Sequence, residues 1–369
     1  MATPLRVLIV GGGTGGHVIP ALAIADQLKK EFGAEIRFVG TSRGIETRLV
    51  PEAGYPLELI QVGALKNVTL ATRAKTLLAL PRAVFYCLGL IRRFRPDVVI
   101  GVGGYASGPG MMAAILARVP SLAFEPNVVP GFANRVVAKF VTAAAVHFQE
   151  SARYFRNAQV TGVPVREDFF KIPPHNGDGG PELLISGAAT ASLLVFGGSQ
   201  GARVINQVMP AAVRLLRAHL PPVTIVHQTG ERDFDQTQAA YYEAGVTAKV
   251  VKFIPAMAKA FAAADVLVCR SGASTVAEVA AAGRPAVFIP FPRAADDHQT
   301  RNAEAFVKRN AGILLPEAEL TPERLAEILS ALLADRKALA AMAASGKSLA
   351  HPDAAREISN LAVRIAGRV

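Results

Sequence analysis

Two glycine-rich loops carry the clearest chemical signal in the sequence. Gly11–His17, spelled GGGTGGH, follows the apolar run Leu5–Val10, and Gly197–Arg203 follows Leu193–Phe196. A helical pattern comes after each loop. Such loops commonly bind anions, because free backbone N–H groups and the positive end of the helix dipole meet there. One loop in each half of the chain predicts two α/β domains that share a phosphate-bearing ligand.

The first loop also matches the dinucleotide fingerprint G-x-G-x-x-G over residues 11–16. That interpretation needs an acidic residue about 20 positions further on, at the end of the second strand, to hold the adenosine ribose. The chain has Phe38–Arg43 there, without a carboxylate. Arg43 suits a 2′-phosphate, so an NAD(P)-dependent oxidoreductase stays open as an alternative. His17 places a titratable group at the loop exit, either to act on a bound hydroxyl or simply to hydrogen-bond the loop.

A third loop follows the predicted strand Val266–Cys269. Ser274 or Thr275 there is placed to cap the next helix or to bind a phosphate. Glu278, about one turn into that helix, is placed to accept two hydrogen bonds from a vicinal diol such as a ribose. A favourable acid in the first turn of a helix is the alternative.

Other polar positions carry weaker signals. Gln299 follows the predicted strand Ala286–Ile289, where an amide is well placed to bind sugar hydroxyls. Asp233 and Asp235 spell the Asp-x-Asp of metal-dependent glycosyltransferases, but they begin a polar helical segment rather than end a strand. Two acids near a helix start by chance are therefore the favoured interpretation.

The composition is that of a globular protein. The 369 residues are 51% hydrophobic and 19% charged, enough for roughly two domains. A net charge of +11 indicates either an acidic partner, such as nucleic acid, an anionic membrane or a polyanionic substrate, or a generically basic surface. Cys87 and Cys269 lie far apart in apolar contexts, which indicates a reducing compartment. The apolar stretch before Gly11 is too short for a signal peptide and reads as a strand.

Short apolar strands alternate with helical segments along both halves, which predicts parallel sheets covered on both faces. The pattern breaks at Gly162–Arg166, which suits a hinge, and at His175–Ala191, which suits a loose insertion. After Thr321 the sequence is helical. Leu77–Ile91 is apolar nearly all round and bordered by arginines and Lys75, which indicates either a core helix or a membrane-docking face.

In combination, the motifs resemble those of the peptidoglycan N-acetylglucosaminyltransferases of glycosyltransferase family 28. The resemblance covers nearly the whole chain, in family order, and rests on these pieces: Gly12–His17, Gly103-Gly104-Tyr105, Glu125-Pro126-Asn127, Gly162–Arg166, Gly197–Ala202, Arg270–Glu278, and His298-Gln299 with Asn302-Ala303. The stretch His175–Ala191 departs from the family by its length.

The resemblance implies the α/β GT-B fold, with two Rossmann-like parallel-sheet domains facing across a cleft. It implies an acceptor and membrane-facing domain over residues 1–163 and a UDP-sugar-binding domain over 164–345. The remaining residues, 346–369, would form a C-terminal helix that packs back on the first domain.

The resemblance also implies the reaction. N-acetylglucosamine would pass, with inversion, from UDP-N-acetylglucosamine to lipid I (undecaprenyl-pyrophosphoryl-N-acetylmuramyl-pentapeptide) to give lipid II. No cofactor is implied, and stimulation by a divalent cation stays open. The implied partners are an anionic membrane surface and other cell-wall synthesis proteins rather than nucleic acid. The implied location is the cytoplasmic face of the inner membrane, as a peripheral protein.

The residues that the resemblance assigns to the substrates fall in both halves. Ile254 would hold uracil through its backbone, with Ser199 and Arg166 near the phosphates and Gln299 on the hexose. The remaining positions are Thr14, Gly15, Gly16 and Asn127 in the first half and Ala273, Ser274, Thr275, Val276, Ala277 and Glu278 in the second.

An inverting transfer needs a base for the acceptor hydroxyl, and helix-dipole loops with Arg166 to stabilise the leaving UDP. His17 is the first candidate for the base and Glu125 the second. Three other classes of function stay open: an epimerase of the same UDP-sugar, a non-catalytic UDP-sugar-binding module, and a diacylglycerol glycosyltransferase.

Overall fold

The computed structural model describes residues 4–63, 70–173, 175, 191–216 and 223–368, with the backbone alone for 70–77. The predicted insertion lies outside the described residues except at His175 and Ala191. The chain divides into two compact units: unit 1 is Met1–Val165 with Asp353–Val369, and unit 2 is Arg166–Pro352. The division thus falls two residues later than the expected boundary, and the last segment of unit 1 begins at 353 rather than 346.

Unit 1 contains a seven-stranded sheet in the order β3-β2-β1-β4-β5-β6-β7, with every described pair parallel. Its strands are β1 (Arg6–Val10), β2 (Glu35–Thr41), β3 (Leu57–Ile60), β4 (Val98–Gly101), β5 (Ser121–Glu125), β6 (Ala143–Val146) and β7 (Ala158–Val160). Its helices are α1 (Gly15–Phe32), α2 (Glu46–Glu52), α3 (Leu70–Phe94), α4 (Ser107–Leu116), α5 (Phe132–Val137), α6 (Gln149–Ala152) and the last helix, Ala354–Ile365.

Unit 2 contains a six-stranded parallel sheet in the order β10-β9-β8-β11-β12-β13. Its strands are β8 (Ala191–Phe196), β9 (Val223–Gln228), β10 (Lys249–Val251), β11 (Val266–Cys269), β12 (Ala286–Phe288) and β13 (Ile313–Leu314). Its α-helices are α7 (Glu167–Phe170), α8 (Arg203–Leu216), α9 (Phe234–Glu243), α10 (Met257–Ala262), α11 (Ala273–Ala282), α12 (His298–Val307), α13 (Pro322–Ala334) and α14 (Arg336–Lys347).

The central strands of both sheets have no polar face, so each sheet needs a layer of helices on both sides. All four residues of β4 and all four of β11 are buried, because helices cover both faces of each sheet. The strand order reverses between β1 and β4 in unit 1 and between β8 and β11 in unit 2. Ligands of open α/β sheets bind beyond the carboxyl ends of the strands at such a reversal. Both predicted glycine loops begin there.

The last helix, α15 (Ala354–Ile365), packs against α1 and the strands β4, β5 and β6 of unit 1. Its buried face includes Ile358 and Ala362, with no exposed surface on either side chain. Beyond the helix, Arg368 donates to Asp97 at 2.8 Å. The segment after Thr321 is helical as predicted and forms three helices, separated at Asp335 and at residues 348–353.

Candidate functional site

The first glycine loop turns sharply between β1 and α1. Gly11, Gly12 and Gly13 have φ values of 142°, 144° and 95°, which residues with a Cβ rarely adopt. The N–H of Gly12 donates to the carbonyl of Gly103 at 3.1 Å, so the loops after β1 and β4 interlock. A Cβ on Gly104 would lie 2.1 Å from the carbonyl oxygen of Gly12. The loop after β1 and the loop after β4 therefore both need glycine, because their backbones are in close contact.

A buried carboxylate that the sequence reasoning missed lies beneath this loop. Glu46 is 1% exposed, and its two oxygens accept hydrogen bonds from Gly13 N (2.7 Å), Thr41 N (2.9 Å) and Thr41 Oγ1 (3.0 Å). A Cβ on Gly40 or Gly44 would collide with the Glu46 side chain. The carboxylate thus occupies the donor of Gly13 and adds a negative charge below the loop. This arrangement opposes phosphate binding at Gly13, unlike the arrangement in a dinucleotide loop.

His17 lies in the first turn of α1, where its Nδ1 is 3.2 Å from Thr14 Oγ1. A Cβ on Gly103 would lie 2.9 Å from both Cδ2 and Nε2 of the ring, so the glycine leaves room for the imidazole. Thr14 precedes the helix in extended conformation, and Gly15 and Gly16 form the helix start. Of the predicted residues of the first loop, Thr14 therefore contacts the imidazole directly, and Gly15 and Gly16 precede it in the helix.

Glu125, the second candidate base, ends β5 and is 1% exposed. Its Oε1 accepts from the backbone N (3.0 Å) and Nδ2 (3.1 Å) of Asn127, and its Oε2 from Gly131 N (3.0 Å) and Asn134 Nδ2 (2.9 Å). Burial raises the pKa of Glu125, and the hydrogen bonds from Asn134, Asn127 and Gly131 oppose that shift. A carboxylate with four donors around it is built to hold the loop carrying Asn127, and this geometry favours His17 as the base.

The second glycine loop follows β8 and leads into α8. Gly198 and Gly201 have φ values of 89° and 72°, and Ser199 is exposed between them. A Cβ on Gly201 would lie 1.7 Å from the carbonyl oxygen of Thr229, so the loop packs directly on the turn that follows β9. In unit 2, as in unit 1, glycines allow two strand-end loops to touch.

Helix α11 of unit 2 begins without a side-chain cap. Its N-cap, Gly272, makes no side-chain cap, and Ser274 Oγ is buried without a hydrogen-bond partner among the residues that the structure describes. Residues 273–278 form the first turn and a half of this helix. Uncapped N–H groups and an unsatisfied hydroxyl beside a dipole's positive end provide donors for a phosphate or a sugar.

Glu278 lies on the same helix and is partly buried. Burial raises the pKa of Glu278 from 4.5 to about 7, and the positive charge of Arg166 opposes part of the shift. Arg166 itself is exposed and lies over the ring of Phe169 at 5.1 Å. The guanidinium of Arg166 is thus close enough to act on the Glu278 carboxyl of α11, and the ribose and phosphate roles of these two residues stay predictions.

The segment after β12 carries Gln299 at the start of α12. Gln299 Oε1 accepts from the N–H of Phe291 at 2.9 Å, and its backbone carbonyl accepts from Ser271 Oγ at 2.9 Å. Arg270 fixes the same segment by donating to the carbonyls of Ile289 (3.0 Å) and Pro290 (2.8 Å). The loop before α11 and the loop carrying Gln299 therefore form one hydrogen-bonded structure.

Ile254, the expected base-binding residue, follows β10. Its N–H donates to Gln228 Oε1 at 2.8 Å, and Gln228 Nε2 donates to the carbonyl of Gly198 at 2.9 Å. Sequence reasoning missed Gln228, although a polar residue that ends an apolar strand was a usable signal.

Asp233 lies before α9, where it accepts from Asn206 Nδ2 at 3.0 Å and pairs with Arg203 at 3.5 Å. Over the described part of the chain, no group of three or more His, Cys, Asp or Glu side chains is arranged to hold a metal ion.

Comparison with protein families gives two matches. The model of the glycosyltransferase family 28 N-terminal domain matches residues 7–146, and that of the C-terminal domain matches residues 192–358. These ranges contain the loops described above, apart from Arg166, whereas β7 and α7 lie between the two ranges.

Similar proteins extend over the full length. A protein of Syntrophotalea carbinolica is 44% identical, covering 99% of this chain and 100% of its own, and one of Solibacter usitatus is 42% identical, covering 99% and 97%. Both are named UDP-N-acetylglucosamine--N-acetylmuramyl-(pentapeptide) pyrophosphoryl-undecaprenol N-acetylglucosamine transferase.

Solved structures agree with these relatives. The crystal structure of Acinetobacter baumannii MurG has a TM-score of 0.83 and 32% identity, covering 98% of this chain and 100% of that one. A UDP-N-acetylglucosamine 2-epimerase matches at a TM-score of 0.65 and 12% identity, which shows a shared fold alone. The predicted α/β fold with two parallel-sheet domains is confirmed, and the chain belongs to glycosyltransferase family 28.

Proposed function

We propose that this glycosyltransferase moves N-acetylglucosamine from UDP-N-acetylglucosamine to lipid I, forming lipid II in peptidoglycan synthesis. The names of relatives at 40–44% identity over nearly the full chain support this substrate pair. The observation that carries the proposal is the α11 site of unit 2. A nucleotide sugar has a pyrophosphate, which an uncapped helix N-terminus can bind, and a ribose diol, which a carboxylate can bind. Ser274 lies at the α11 N-terminus, and Glu278 provides the carboxylate.

The chemistry is a single displacement at the anomeric carbon. The acceptor hydroxyl oxygen forms the new bond while the bond to the UDP oxygen breaks, and the base takes the hydroxyl proton. We assign the base to His17, whose Nδ1 contacts Thr14 and whose Nε2 lies near Gly103. Arg166 and the α11 N-terminus stabilise the negative charge that grows on the leaving UDP.

The first glycine loop supports a role toward hydroxyl groups rather than phosphates. Glu46 already fills the donor of Gly13, so the loop offers an imidazole and a threonine hydroxyl above a buried negative charge. Thr14, Gly15, Gly16 and Asn127 accordingly belong to the part of the site that contacts the sugar and the acceptor.

We also propose that unit 1 docks peripherally on the anionic cytoplasmic face of the inner membrane. Helix α3 buries Ala83, Cys87 and Leu90, whereas Leu78 is 77% exposed and Phe85 72% exposed. Helix α4 packs on α3 and α5 on α4. Helices α4 and α5 and the residues just after α5 add further exposed apolar side chains: Leu116, Phe132, Val136 and Phe140. Their basic neighbours are Arg135 and Lys139. An apolar patch with basic neighbours fits an anionic lipid surface.

The expected stretch 77–91 therefore has one buried and one exposed face. Its basic flank at Arg73 and Lys75 lies outside the described side chains. Throughout the part of the chain that the structure describes, no helix is long and apolar enough to cross a membrane.

Transfer of radiolabelled N-acetylglucosamine from its UDP derivative to a synthetic lipid I analogue tests the proposed reaction. We expect a labelled lipid product that depends on the acceptor. Release of free N-acetylmannosamine would indicate an epimerase instead, and transfer to diacylglycerol alone would indicate a glycolipid synthase. Retention of UDP-sugar without turnover would indicate a binding module.

A further inference from the structure

One side-chain amide joins two loops at the carboxyl edge of the unit 2 sheet. Gln228 is the last residue of β9 and is 1% exposed. Its Nε2 donates to the carbonyl of Gly198 at 2.9 Å, while its Oε1 accepts from the N–H of Ile254 at 2.8 Å. A glutamine amide is suited to such a bridge, because it donates at one end and accepts at the other.

The position of Gln228 in the sheet explains why it reaches both loops. Strand β9 lies between β8 and β10, and Gln228 is level with Phe196 on one side and Val251 on the other. The chain leaves β8 two residues before Gly198 and leaves β10 three residues before Ile254. The buried amide therefore stands between the ends of two loops that share no strand.

The end of β9 that carries Gln228 is itself held by buried polar groups. The carbonyl of Thr229 accepts from Asn206 Nδ2 at 3.0 Å, and Thr229 N donates to the carbonyl of Val251 at 3.0 Å. Next to Gln228 in β9, His227 contacts Tyr241 OH (3.0 Å) and Asn206 Oδ1 (3.1 Å). Burial lowers the pKa of His227 to about 3, so this ring stays neutral. The bridge therefore begins from a fixed strand end.

We propose that Gln228 is a positioning residue for the nucleotide: it locks the glycine loop that faces the pyrophosphate to the backbone that holds the base. This inference rests on the proposed function, with the roles that the family resemblance implies for Ser199 near the phosphates and for Ile254 on uracil. With the bridge intact, the pyrophosphate and the uracil of a uridine diphosphate bind to loops whose relative positions are already fixed. Backbone groups distinguish uracil from cytosine only if they are held in place, because uracil has an N3–H donor where cytosine has an acceptor.

Two variants separate the two ends of the bridge. Gln228→Met removes both hydrogen bonds, whereas Gln228→Glu keeps an acceptor for Ile254 and loses the donor to Gly198. Gln238→Met makes the same chemical change at an exposed position on α9 of the same unit and is the matched control. Binding of UDP and of CDP is measured by calorimetry at pH 8, and KM and kcat are measured with UDP-N-acetylglucosamine.

With two hydrogen bonds lost, we expect Gln228→Met to bind UDP about 10- to 100-fold more weakly and to raise KM by a similar factor. We expect kcat to fall less than about threefold, because the reacting groups are untouched. The preference for UDP over CDP should shrink by about tenfold in Gln228→Met and persist in Gln228→Glu, which should instead bind both nucleotides more weakly. The control variant should behave as the native protein does.

A merely structural glutamine would lower the melting temperature and leave the preference for UDP over CDP unchanged, which would overturn the inference. Native UDP affinity in a folded Gln228→Met protein would also overturn it. If Gln228→Met does not fold, loss of the preference in Gln228→Glu would contradict the assignment of Oε1 to the base-binding segment. Failure of the native protein to bind UDP at all would instead refute the proposed function.

Discussion

The binding of the donor sugar nucleotide should weaken as the pH falls through about 7, because Glu278 must be ionised to accept two hydrogen bonds from the ribose diol. Burial raises the pKa of Glu278 from 4.5 to about 7, which places its titration in the working range of the enzyme. The perturbation is a pH series combined with the Glu278→Gln variant, which keeps the side-chain shape and removes both the charge and the titration.

The magnitude follows from the pKa. At pH 6 only about a tenth of the carboxyl groups are ionised, so affinity should be roughly tenfold lower than its plateau above pH 8. Loss of the charged acceptor costs about 2 kcal/mol, so Glu278→Gln should bind the donor roughly 30-fold more weakly at pH 8 and show no slope with pH.

The same substitution should stabilise the folded protein at high pH. A carboxyl whose folded pKa lies above its ordinary value favours folding at low pH, and that contribution is lost as the pH rises through about 7. Removal of the buried charge should therefore raise stability at pH 8, with an upper limit of about 3 kcal/mol from the size of the pKa shift. Gain of stability together with loss of binding is a pattern that simple damage to the fold does not produce.

The assay is calorimetric binding of UDP-N-acetylglucosamine from pH 5.5 to 8.5, with thermal melts of both proteins. The sugar nucleotide is the correct probe, because its pyrophosphate is esterified at both ends and lacks the ionisation near pH 6 of a terminal phosphate. A native protein whose affinity does not change with pH, or a Gln variant that keeps the native slope, would refute the assignment of the diol to Glu278.

Further predictions concern the base, the first loop, the membrane and metals. His17→Ala should reduce kcat by about 100-fold or more with little change in KM for the donor, whereas normal turnover in this variant with loss in Glu125→Ala would reverse the order of the two candidates. Gly44→Ala should destabilise unit 1 by about 2 kcal/mol in urea unfolding, because a Cβ there meets the buried carboxylate beneath the first loop, while Gly131→Ala, with open space around it, should cost less than about 0.5 kcal/mol. Phe85→Ser should weaken flotation with anionic liposomes, and indifference of the native protein to anionic lipid and to salt would count against docking. A chelator should leave the transfer rate within about twofold of its untreated value, and strong inhibition would revive a metal-assisted departure of UDP.

Much of the fold was predictable from local sequence. The buried central strands β1, β4, β8 and β11 stand out as short apolar runs, each followed by glycine or a polar turn. The short edge strands, with three residues in β7 and two in β13, offer too little pattern to be recognised. Their pairing depends on a neighbouring strand that is distant in sequence, and no local signal carries that information.

Helix α4 shows how glycine misleads a local prediction. The sequence Ser107-Gly108-Pro109-Gly110 resembles a loop, and its pattern predicts a helix over Gly110–Ala117. The helix begins at Ser107, and Gly110 lies within it against β1, where a Cβ would be 2.7 Å from the side chain of Val10. Glycine serves close packing between helix and strand at this position rather than a turn.

In the candidate site, too, some residues are recognisable from local sequence and others are not. Glu278 and Gln299 were predictable as candidate residues, because each lies on a helix that follows a buried strand, and their roles stay predictions. The contacts of Glu46 and Gln228 were not predictable, since each side chain bonds to loops from other parts of the chain: Glu46 to Gly13, and Gln228 to Gly198 and Ile254. Such contacts exist only after the sheet has set the order of its strands.

The most direct test of the account is the structure of the reaction product. With UDP-N-acetylglucosamine and a lipid I analogue, proton NMR should show a new disaccharide whose N-acetylglucosamine is joined in the β-configuration, inverted from the α-configuration of the donor, together with equimolar UDP. An α-linked product would contradict a single displacement assisted by one base, and a reaction that yields UDP without any disaccharide would contradict the proposed transfer itself.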